Sequence, residues 1–263
     1  MDLGLTGKRA IVCAASKGLG LASALALARE GASIAMCARR ADALERAAQG
    51  IRDETGATVL AVPADVAVQA DVDRLIRTAL DSLGAIDVLV TNTGGPPSGP
   101  FEGIEDAAWY AAIESLLMSV VRLSRAVVPH MRTRGGGRII NITSISVKQP
   151  VQGLVLSNAL RAAVTGLSKT LSNELASDRI LVNCVAPGYT ATDRVVELTH
   201  AAAQREGISP EVVQKRTEER IPMRRMGTPD EFGAAVAFLA SERASYLTGV
   251  TLQVDGGYIT SLL

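Results

Sequence analysis

The sequence predicts an α/β fold, a doubly wound parallel sheet (Rossmann fold) with helices on both faces. Short, continuously apolar runs alternate with helical patterns along the chain, as expected for parallel strands that helices cover on each side. The length of 263 residues suits one large domain, and no segment has the composition of a linker between two cores. We therefore expect a single domain over residues 1–263.

The predicted elements follow the chain in alternating order. Apolar runs rich in Val, Ile, Leu and Ala predict strands at Arg9 to Ala14, Ser33 to Ala38, Thr58 to Pro63, Val88 to Thr91, Arg138 to Thr143, Leu181 to Ala186 and Thr251 to Val254. Amphipathic or Ala-rich patterns predict helices at Leu19 to Glu30, Ala41 to Glu54, Val68 to Leu83, Ala107 to Arg134 and Asn158 to Ala176. Mixed charge and helical signals over residues 193–222 predict an inserted helical flap, a type of segment that often covers a substrate.

Charge balance argues for a small-molecule substrate. Lys and Arg number 27, Asp and Glu also number 27, and the formal net charge is zero. Without a bulk electrostatic field, neither a nucleic acid nor an anionic membrane is an expected partner.

The cysteines and the first residues indicate a reducing, cytoplasmic location. Cys13, Cys37 and Cys184 lie in apolar runs without a Cys or His at metal-ligand spacing, so we expect buried thiols and no metal. Residues 1–8 lack the pattern of a secretory leader, and no run of eighteen apolar residues follows.

A glycine-containing loop joins the first strand to the first helix. Its candidate cofactor-binding residues are Ala14, Ser16, Lys17, Gly18, Leu19 and Gly20. In this position glycines let the backbone approach a pyrophosphate, which the positive end of the helix dipole stabilises. Two close glycines also occur where a helix packs on a strand, so the position between strand and helix carries the prediction.

The end of the second strand indicates which dinucleotide is bound. A carboxylate here binds the ribose 2′-hydroxyl of NAD, whereas arginine suits the 2′-phosphate of NADP. Arg39 and Arg40, together with Lys17, therefore favour NADP over NAD. A solvated basic turn is the alternative interpretation.

These motifs resemble those of the short-chain dehydrogenase/reductase family, and the chain is similar to its 3-oxoacyl-(acyl carrier protein) reductase branch. The resemblance extends from the first strand to Gly257 and implies a dinucleotide-dependent oxidoreductase. Ala14 replaces the first glycine of the family's loop, and an alanine fits there if its φ stays negative.

The resemblance assigns further cofactor contacts. Asp65 and Val66 match an Asp-Val pair whose Asp accepts hydrogen bonds from the adenine amine. Asn92 and Gly94 lie in the match to Asn-Asn-Ala-Gly, which braces the central strand against the cofactor. The remaining contacts, to the nicotinamide carboxamide, are assigned to Pro187, Gly188 and Thr190.

The chain departs from the family at the catalytic residues. The family uses a Ser, a Tyr that delivers the proton, a Lys that lowers the Tyr pKa, and an Asn that supports a water relay. Ser144 matches the Ser, but Ser157, Arg161 and Leu116 stand at the other three positions. A serine hydroxyl is too weak an acid to replace a phenol, and arginine stays protonated, so the family's usual mechanism is not expected.

Two interpretations of the replaced residues remain open. Ser157 and Arg161 are four residues apart, one helical turn, and with Ser144 they can line the site, where Arg161 holds the ribose or polarises a carbonyl or carboxylate. Alternatively, Ser157 caps the helix and Arg161 forms a surface ion pair. For the missing proton donor the candidates are Tyr189 and His200, although each is also explained as a packing or surface residue.

Three functions are compatible with this pattern. The first is an NADP-dependent oxidoreductase with a modified active site, acting on a carbonyl or hydroxyl group, and the second is a cofactor-binding regulatory or assembly protein without redox catalysis. Lyase or isomerase chemistry in the same cleft is the third. We also expect a homo-oligomer, dimer or tetramer, because the two helices near residues 107–134 and 158–176 are apolar around much of their circumference.

Overall fold

The computed structural model describes residues 2–262. Its strands form one seven-stranded sheet in the order β3-β2-β1-β4-β5-β6-β7. All six strand pairs within it are parallel. The predicted Rossmann fold is confirmed. The outermost residues of the predicted domain, Met1 and Leu263, lie outside the described residues.

The strands are β1 Arg9–Val12, β2 Ser33–Ala38, β3 Val59–Pro63, β4 Val88–Thr91, β5 Gly137–Ile142, β6 Ile180–Pro187 and β7 Thr251–Val254. The α-helices are α1 Gly18–Arg29, α2 Ala41–Thr55, α3 Gln69–Leu83, α4 Asp106–Ala112, α5 Ser119–Thr133, α6 Val155–Glu174, α7 Asp193–Glu206, α8 Pro210–Arg220 and α9 Pro229–Ala240. None of the helices in residues 2–262 is both long and apolar enough to cross a bilayer.

Helices cover the sheet on both faces. Apolar residues of α1, α2 and α9 form one core with the sheet, in which Phe232 and Leu27 are fully buried. On the other face α3 and α5 form a second core, with Leu75 and Leu123 inside it. Burial of both sheet faces explains why the strands are continuously apolar.

The chain reverses its direction of winding between β1 and β4. From β1 it proceeds outward to β2 and β3, then returns to pair β4 on the other side of β1. In open α/β sheets ligands bind in the crevice at the carboxyl ends of the strands at such a point. The loops that follow β1 and β4 are therefore where a dinucleotide is expected.

A buried chain of hydrogen bonds joins the two central strands to α6 close to this crevice. The Thr91 hydroxyl donates to Asn141 Oδ1 at 2.6 Å, and Asn141 Nδ2 donates to Ser168 Oγ at 2.8 Å. All three side chains are buried. Because a buried polar group without a partner is costly, this chain fixes the orientation of α6 against the strand ends.

Two features of the helices differ from the sequence-based expectation. α9, Pro229–Ala240, was not among the predicted helices, although a capping box formed by Thr228 and Glu231 begins it. The single long helix predicted near residues 107–134 is instead two α-helices joined by a π-helical stretch, Ile113–Met118. Such stretches often mark functional sites.

Candidate active site

The loop after β1 is shaped for close approach of its backbone to a ligand. A Cβ atom at Gly20 would lie 2.3 Å from the carbonyl oxygen of Ala14, so no side chain fits there. Gly18, the first residue of α1, has φ +57°. Lys17, the N-cap residue of α1, forms no side-chain cap, and the first turn has no acidic residue, which leaves the first amide groups of the helix available to an anion.

One expectation about this loop is wrong. The φ of Ala14 is +47°, not negative. Ala14 therefore adopts the left-handed conformation of the glycine that it replaces, at some cost in backbone strain. The positive φ of Ala14 preserves the tight turn of the loop. Ser16 and Leu19 are partly buried beside it.

The basic residues predicted to bind a 2′-phosphate have different surroundings. Arg39 and Arg40 are exposed just after β2, and neither forms an ion pair within residues 2–262. Lys17, in contrast, forms an ion pair of 2.8 Å with Asp193 at the start of α7. Two unpaired guanidinium groups thus remain available beside the crevice.

Two further candidates for cofactor contact follow β3. Asp65 is partly buried, and its Oδ1 accepts a hydrogen bond from the backbone amide of Ala67 at 3.0 Å. Val66 is buried in the core between the sheet and α3. One carboxylate oxygen of Asp65 thus stabilises its own loop.

The candidates after β4 and β6 lie at the crevice. Asn92 is partly buried and Gly94 is exposed, both directly after β4. Pro187 and Gly188 line a large cavity, whereas Thr190 is buried.

Gly188 has a packing role as well. A Cβ atom there would lie 2.7 Å from the Cα of Asp255, so β6 and the end of β7 come together closely at this point.

The four candidate catalytic residues do not share one surface. Ser144 and Tyr189 line the large cavity, whereas Ser157 and Arg161, on α6, are not among its lining residues. Ser144 Oγ accepts a hydrogen bond from the Ser146 amide at 3.1 Å. The structure therefore places Ser144 and Tyr189 at the cavity, and Ser157 and Arg161 outside its lining on α6.

The Arg161 side chain is partly buried and contacts the end of β5. Its Nη1 donates a hydrogen bond of 2.9 Å to the carbonyl oxygen of Ile142, the last residue of β5. Arg161 forms no ion pair with any carboxylate in the described part of the chain. Burial, and to a lesser extent the nearby Arg194, lower the pKa of Arg161 to about 10, so it remains a cation at neutral pH. A surface ion pair, the alternative considered above, is excluded.

Ser157 is buried in the first turns of α6. The residue at the N-cap position is Leu154, three positions earlier, so Ser157 does not cap the helix. This part of the alternative interpretation is also wrong. Ser157 instead faces inward one turn before Arg161, as the spacing predicts.

Apolar atoms occupy the position where the resemblance places an asparagine. Leu116 lies in the π-helical stretch and is buried against Leu156 and Leu160 of α6. The π-helical stretch is present, but the Leu116 side chain packs among apolar residues and cannot hold a water. A proton relay through this position is excluded by the chemistry of leucine.

Tyr189 is a poor candidate for an acid. Burial, followed by the neighbouring Tyr258, raises the pKa of Tyr189 to about 12. The two rings pack edge to face with centroids 5.2 Å apart, and the Arg220 guanidinium lies 5.3 Å from the Tyr258 centroid. A catalytic phenol needs the opposite shift, which a cation next to its oxygen would provide.

His200 does not face the cavity. It is exposed on α7, and the residues on either side, Thr199 and Ala201, line the cavity while His200 does not. It lies near Glu211 of α8. The pKa of Glu211 is lowered mainly by a hydrogen bond from Ser209, and to a smaller extent by the charge of His200. The geometry does not support a role for His200 as proton donor.

The predicted flap, residues 193–222, consists of α7 and α8 and forms one wall of the cavity. The cavity has a volume of about 740 Å³, and its other wall is the loop between β5 and α6. Its charged lining residues are Arg205, Glu206, Arg216 and Arg220. None of these arginines is predicted from the sequence as a cavity residue, because mixed charge in a helix does not indicate which face points into the cavity.

The start of α7 also contacts the crevice. Arg194 Nη2 donates a hydrogen bond of 2.8 Å to the Pro96 carbonyl, and a Cβ atom at Gly95 would lie 2.6 Å from the guanidinium. Together with the ion pair between Lys17 and Asp193, this contact connects α7 to the loops after β4 and β1. The loop of residues 94–100 is thus bound to the flap.

Comparisons with known proteins agree with this arrangement. A family model described as enoyl-(acyl carrier protein) reductase matches residues 13–259. Dehydrogenase/reductase SDR family member 4 of Oryctolagus cuniculus is 37% identical, with 96% of this chain and 94% of the relative covered. The 3-oxoacyl-(acyl carrier protein) reductase of Synechocystis is 36% identical over 97% of this chain and 98% of its own length.

A solved structure extends the likeness to three dimensions. L-sorbose reductase from Gluconobacter frateurii, complexed with NADPH and L-sorbose, is 36% identical with a TM-score of 0.94, and each chain is covered fully. The glycine loop, the parallel sheet with its switch between β1 and β4, and matches over nearly the whole length lead to one conclusion: the chain belongs to the short-chain dehydrogenase/reductase family of oxidoreductases.

Proposed function

We propose that this protein is an NADP-dependent oxidoreductase that acts on a carbonyl or hydroxyl group with a modified active site. The observation that carries the proposal is the partly buried guanidinium of Arg161, which has no carboxylate partner among residues 2–262 and donates to Ile142, two residues before Ser144. Withdrawing a cation from water without a counter-ion costs free energy, and the cost grows with burial. Such a cost is typical of a functional site, where a ligand supplies the missing negative charge.

The residues present fit NADP. The uncapped start of α1 and the close packing at Gly20 suit a pyrophosphate, and the unpaired Arg39 and Arg40 suit a 2′-phosphate. Asp65 retains one carboxylate oxygen for the adenine amine. The NADPH complex of the sorbose reductase supports the same choice of cofactor.

The chemistry is divided between the cofactor and the chain. The bound cofactor would supply a hydride as NADPH or accept one as NADP. Ser144 donates a hydrogen bond to the substrate oxygen, and the positive charge of Arg161 stabilises the negative charge that develops at this end of β5. Ser157 is too weak an acid to donate the proton, and the pKa of Tyr189 is raised, not lowered. The proton therefore comes from water in the cavity.

A direct test is nicotinamide absorbance during incubation of the protein with NADPH and a panel of ketones, or with NADP and alcohols. L-sorbose belongs in the panel, because the similar reductase binds it. Turnover of any member supports the proposal. Absence of turnover across the panel, with NADPH bound, contradicts it.

One observation favours the alternative of a regulatory or assembly protein without catalysis. Leu116 occupies the position of the family's asparagine and packs in an apolar cluster, so the proton relay that this asparagine supports is absent. The triple variant Leu116→Asn, Ser157→Tyr and Arg161→Lys restores the family's residues. If wild-type protein binds NADPH but neither it nor the folded triple variant turns over any substrate, the non-catalytic function is favoured.

Cofactor choice gives the first prediction. The double variant Arg39→Leu, Arg40→Leu should weaken NADPH binding by about 2 kcal/mol, roughly 30-fold, because charge-assisted hydrogen bonds to the 2′-phosphate are lost. NADH binding should change less than about twofold. Calorimetric titration of both cofactors measures this, and an equal loss for NADPH and NADH would show that the two arginines do not recognise the phosphate.

Tyr189 gives the second prediction. Because the pKa of Tyr189 is raised to about 12, its hydroxyl neither ionises nor donates readily in the working range. We expect Tyr189→Phe to keep kcat/KM within about twofold from roughly pH 6 to pH 9. Tyr258→Phe serves as the matched control on the partner ring. A loss of about 100-fold confined to Tyr189→Phe would identify Tyr189 as the proton donor after all.

We further propose a homo-oligomer, in which small exposed residues of α6 let the helix of a second copy approach closely. These residues are Ala159, Ala162, Ala163 and Gly166. Sedimentation at micromolar concentration should show a dimer or tetramer, and replacement of Gly166 by glutamate should shift it toward monomer. A monomeric wild-type protein would refute this.

A further inference from the structure

The large cavity carries an excess of positive charge on one wall. Its lining contains three arginines, Arg205, Arg216 and Arg220, and a single acidic residue, Glu206. Glu206 is already paired, with Arg216 at 2.5 Å and Arg205 at 3.6 Å. Among the residues that line the cavity, the balance is therefore two positive charges.

Arg220 is the cation without a carboxylate partner. It forms no ion pair among residues 2–262, but it lies over the ring of Tyr258, 5.3 Å from the centroid. Tyr258 packs in turn against Tyr189, which directly follows Gly188 at the end of β6. This stack fixes the guanidinium at the cavity wall and leaves its N–H groups free for a ligand.

The rest of the lining mixes apolar side chains with polar ones, among them Gln149, Gln152, Thr199 and Thr217. Side chains of Val195, Leu198 and Val213 contribute from the flap, and Val151 and Leu154 from the opposite loop. Ser144, the residue expected to bind the reacting oxygen, lies in the same cavity. A ligand that fills it meets Ser144, several apolar side chains and a cationic wall.

We infer that the substrate is a carbonyl compound, or its alcohol, that carries a carboxylate or phosphate group away from the reacting carbon, and that Arg220 binds this anion with help from Arg205 and Arg216. The inference rests on the proposed function for the reaction and names the substrate class of the same site. Guanidinium groups bind both anions through paired hydrogen bonds. A volume of about 740 Å³ accommodates a molecule of metabolite size.

The test compares charged and neutral ligands of matched shape. Straight-chain keto acids of increasing length and their methyl esters form one arm, and a ketose phosphate and the neutral ketose L-sorbose form the other. Binding is measured by calorimetry in the presence of NADP, and turnover separately by absorbance. The keto acid arm and the phosphate arm distinguish the two anions.

Two variants of α8 supply the matched comparison. Arg220→Met removes the charge at the cavity, whereas Lys215→Met removes one from an exposed position of the same helix that does not line the cavity. We expect at least one anionic ligand to bind about tenfold or more tightly than its neutral partner, and Arg220→Met to abolish that preference. Lys215→Met should preserve it.

The outcomes separate the two proposals. Anion-selective binding that depends on Arg220 supports the inference even if no ligand is turned over, in which case the proposed reaction is at fault. Equal binding or turnover of charged and neutral partners overturns the inference. So does a preference that Arg220→Met leaves unchanged, or that Lys215→Met removes equally.

Discussion

Replacement of Arg161 by methionine is expected to lower kcat/KM about 100-fold or more, while NADPH binding weakens far less. The guanidinium donates a hydrogen bond to the last residue of β5, and removal of one preorganised group that stabilises developing charge costs on the order of 2 to 4 kcal/mol in the transition state. Methionine has a similar length, so the apolar part of the side chain still packs. The measurement is steady-state kinetics with whichever substrate the panel identifies.

Two further variants show whether the loss comes from the charge of Arg161. Arg161→Lys keeps the charge but loses the planar fork that reaches Ile142, so an intermediate loss of about tenfold is expected. Arg46→Met, an exposed arginine of α2 without an ion pair, is the control and should be neutral. If Arg161→Met retains activity within about threefold, Arg161 has only a structural role and the modified active site must be sought elsewhere.

Replacement of Gly20 by alanine is expected to damage both the fold and the cofactor site. The added Cβ would lie 2.3 Å from the Ala14 carbonyl oxygen, a backbone atom that moves only if the loop moves. Overpacking of this kind costs about 1 to 3 kcal/mol of stability. Because the displaced loop is the one that approaches the pyrophosphate, NADPH affinity should fall roughly tenfold or more.

A second helical glycine provides the control. Gly50 lies inside α2, and a Cβ atom there meets nothing within 4 Å. Gly50→Ala should therefore stabilise the protein by about 0.5 to 1 kcal/mol and leave NADPH binding unchanged. Urea unfolding and calorimetry measure the two quantities. Equal behaviour of the two variants would mean that Gly20 tolerates a side chain and that the loop geometry is not critical.

The sequence was informative wherever a local pattern determines the structure. The parallel strands follow from continuous apolar runs, and Cys13, Cys37 and Cys184 are buried as expected. α9 was missed although Thr228, Pro229 and Glu231 form a recognisable helix start. Its twelve residues are largely apolar, so the amphipathic period that identifies most helices is weak there.

The site was less predictable, because side-chain orientation depends on tertiary packing. Spacing placed Ser157 and Arg161 on one face of α6, but only the structure shows that Arg161 points to the end of β5 and not to solvent. Proximity in sequence favoured Tyr189 as a donor, whereas burial and Tyr258 shift its pKa upward. His200 lies in the flap as expected but faces away from the cavity.

The flap illustrates the same limit. Arg194, Arg205 and Arg220 belong to helices whose sequences show mixed charge without a clear apolar face. Contacts to distant parts of the chain set the direction of two of them, Pro96 for Arg194 and Tyr258 for Arg220. A local pattern does not contain this information.

The most direct test of the account is calorimetric titration of the purified protein with NADPH and, in parallel, NADH. The crevice between β1 and β4 is proposed to bind a phosphorylated dinucleotide, although the residues that transfer the proton in the family are replaced. We predict saturable binding of NADPH that is at least about tenfold tighter than that of NADH. No measurable affinity for either cofactor would contradict the claim.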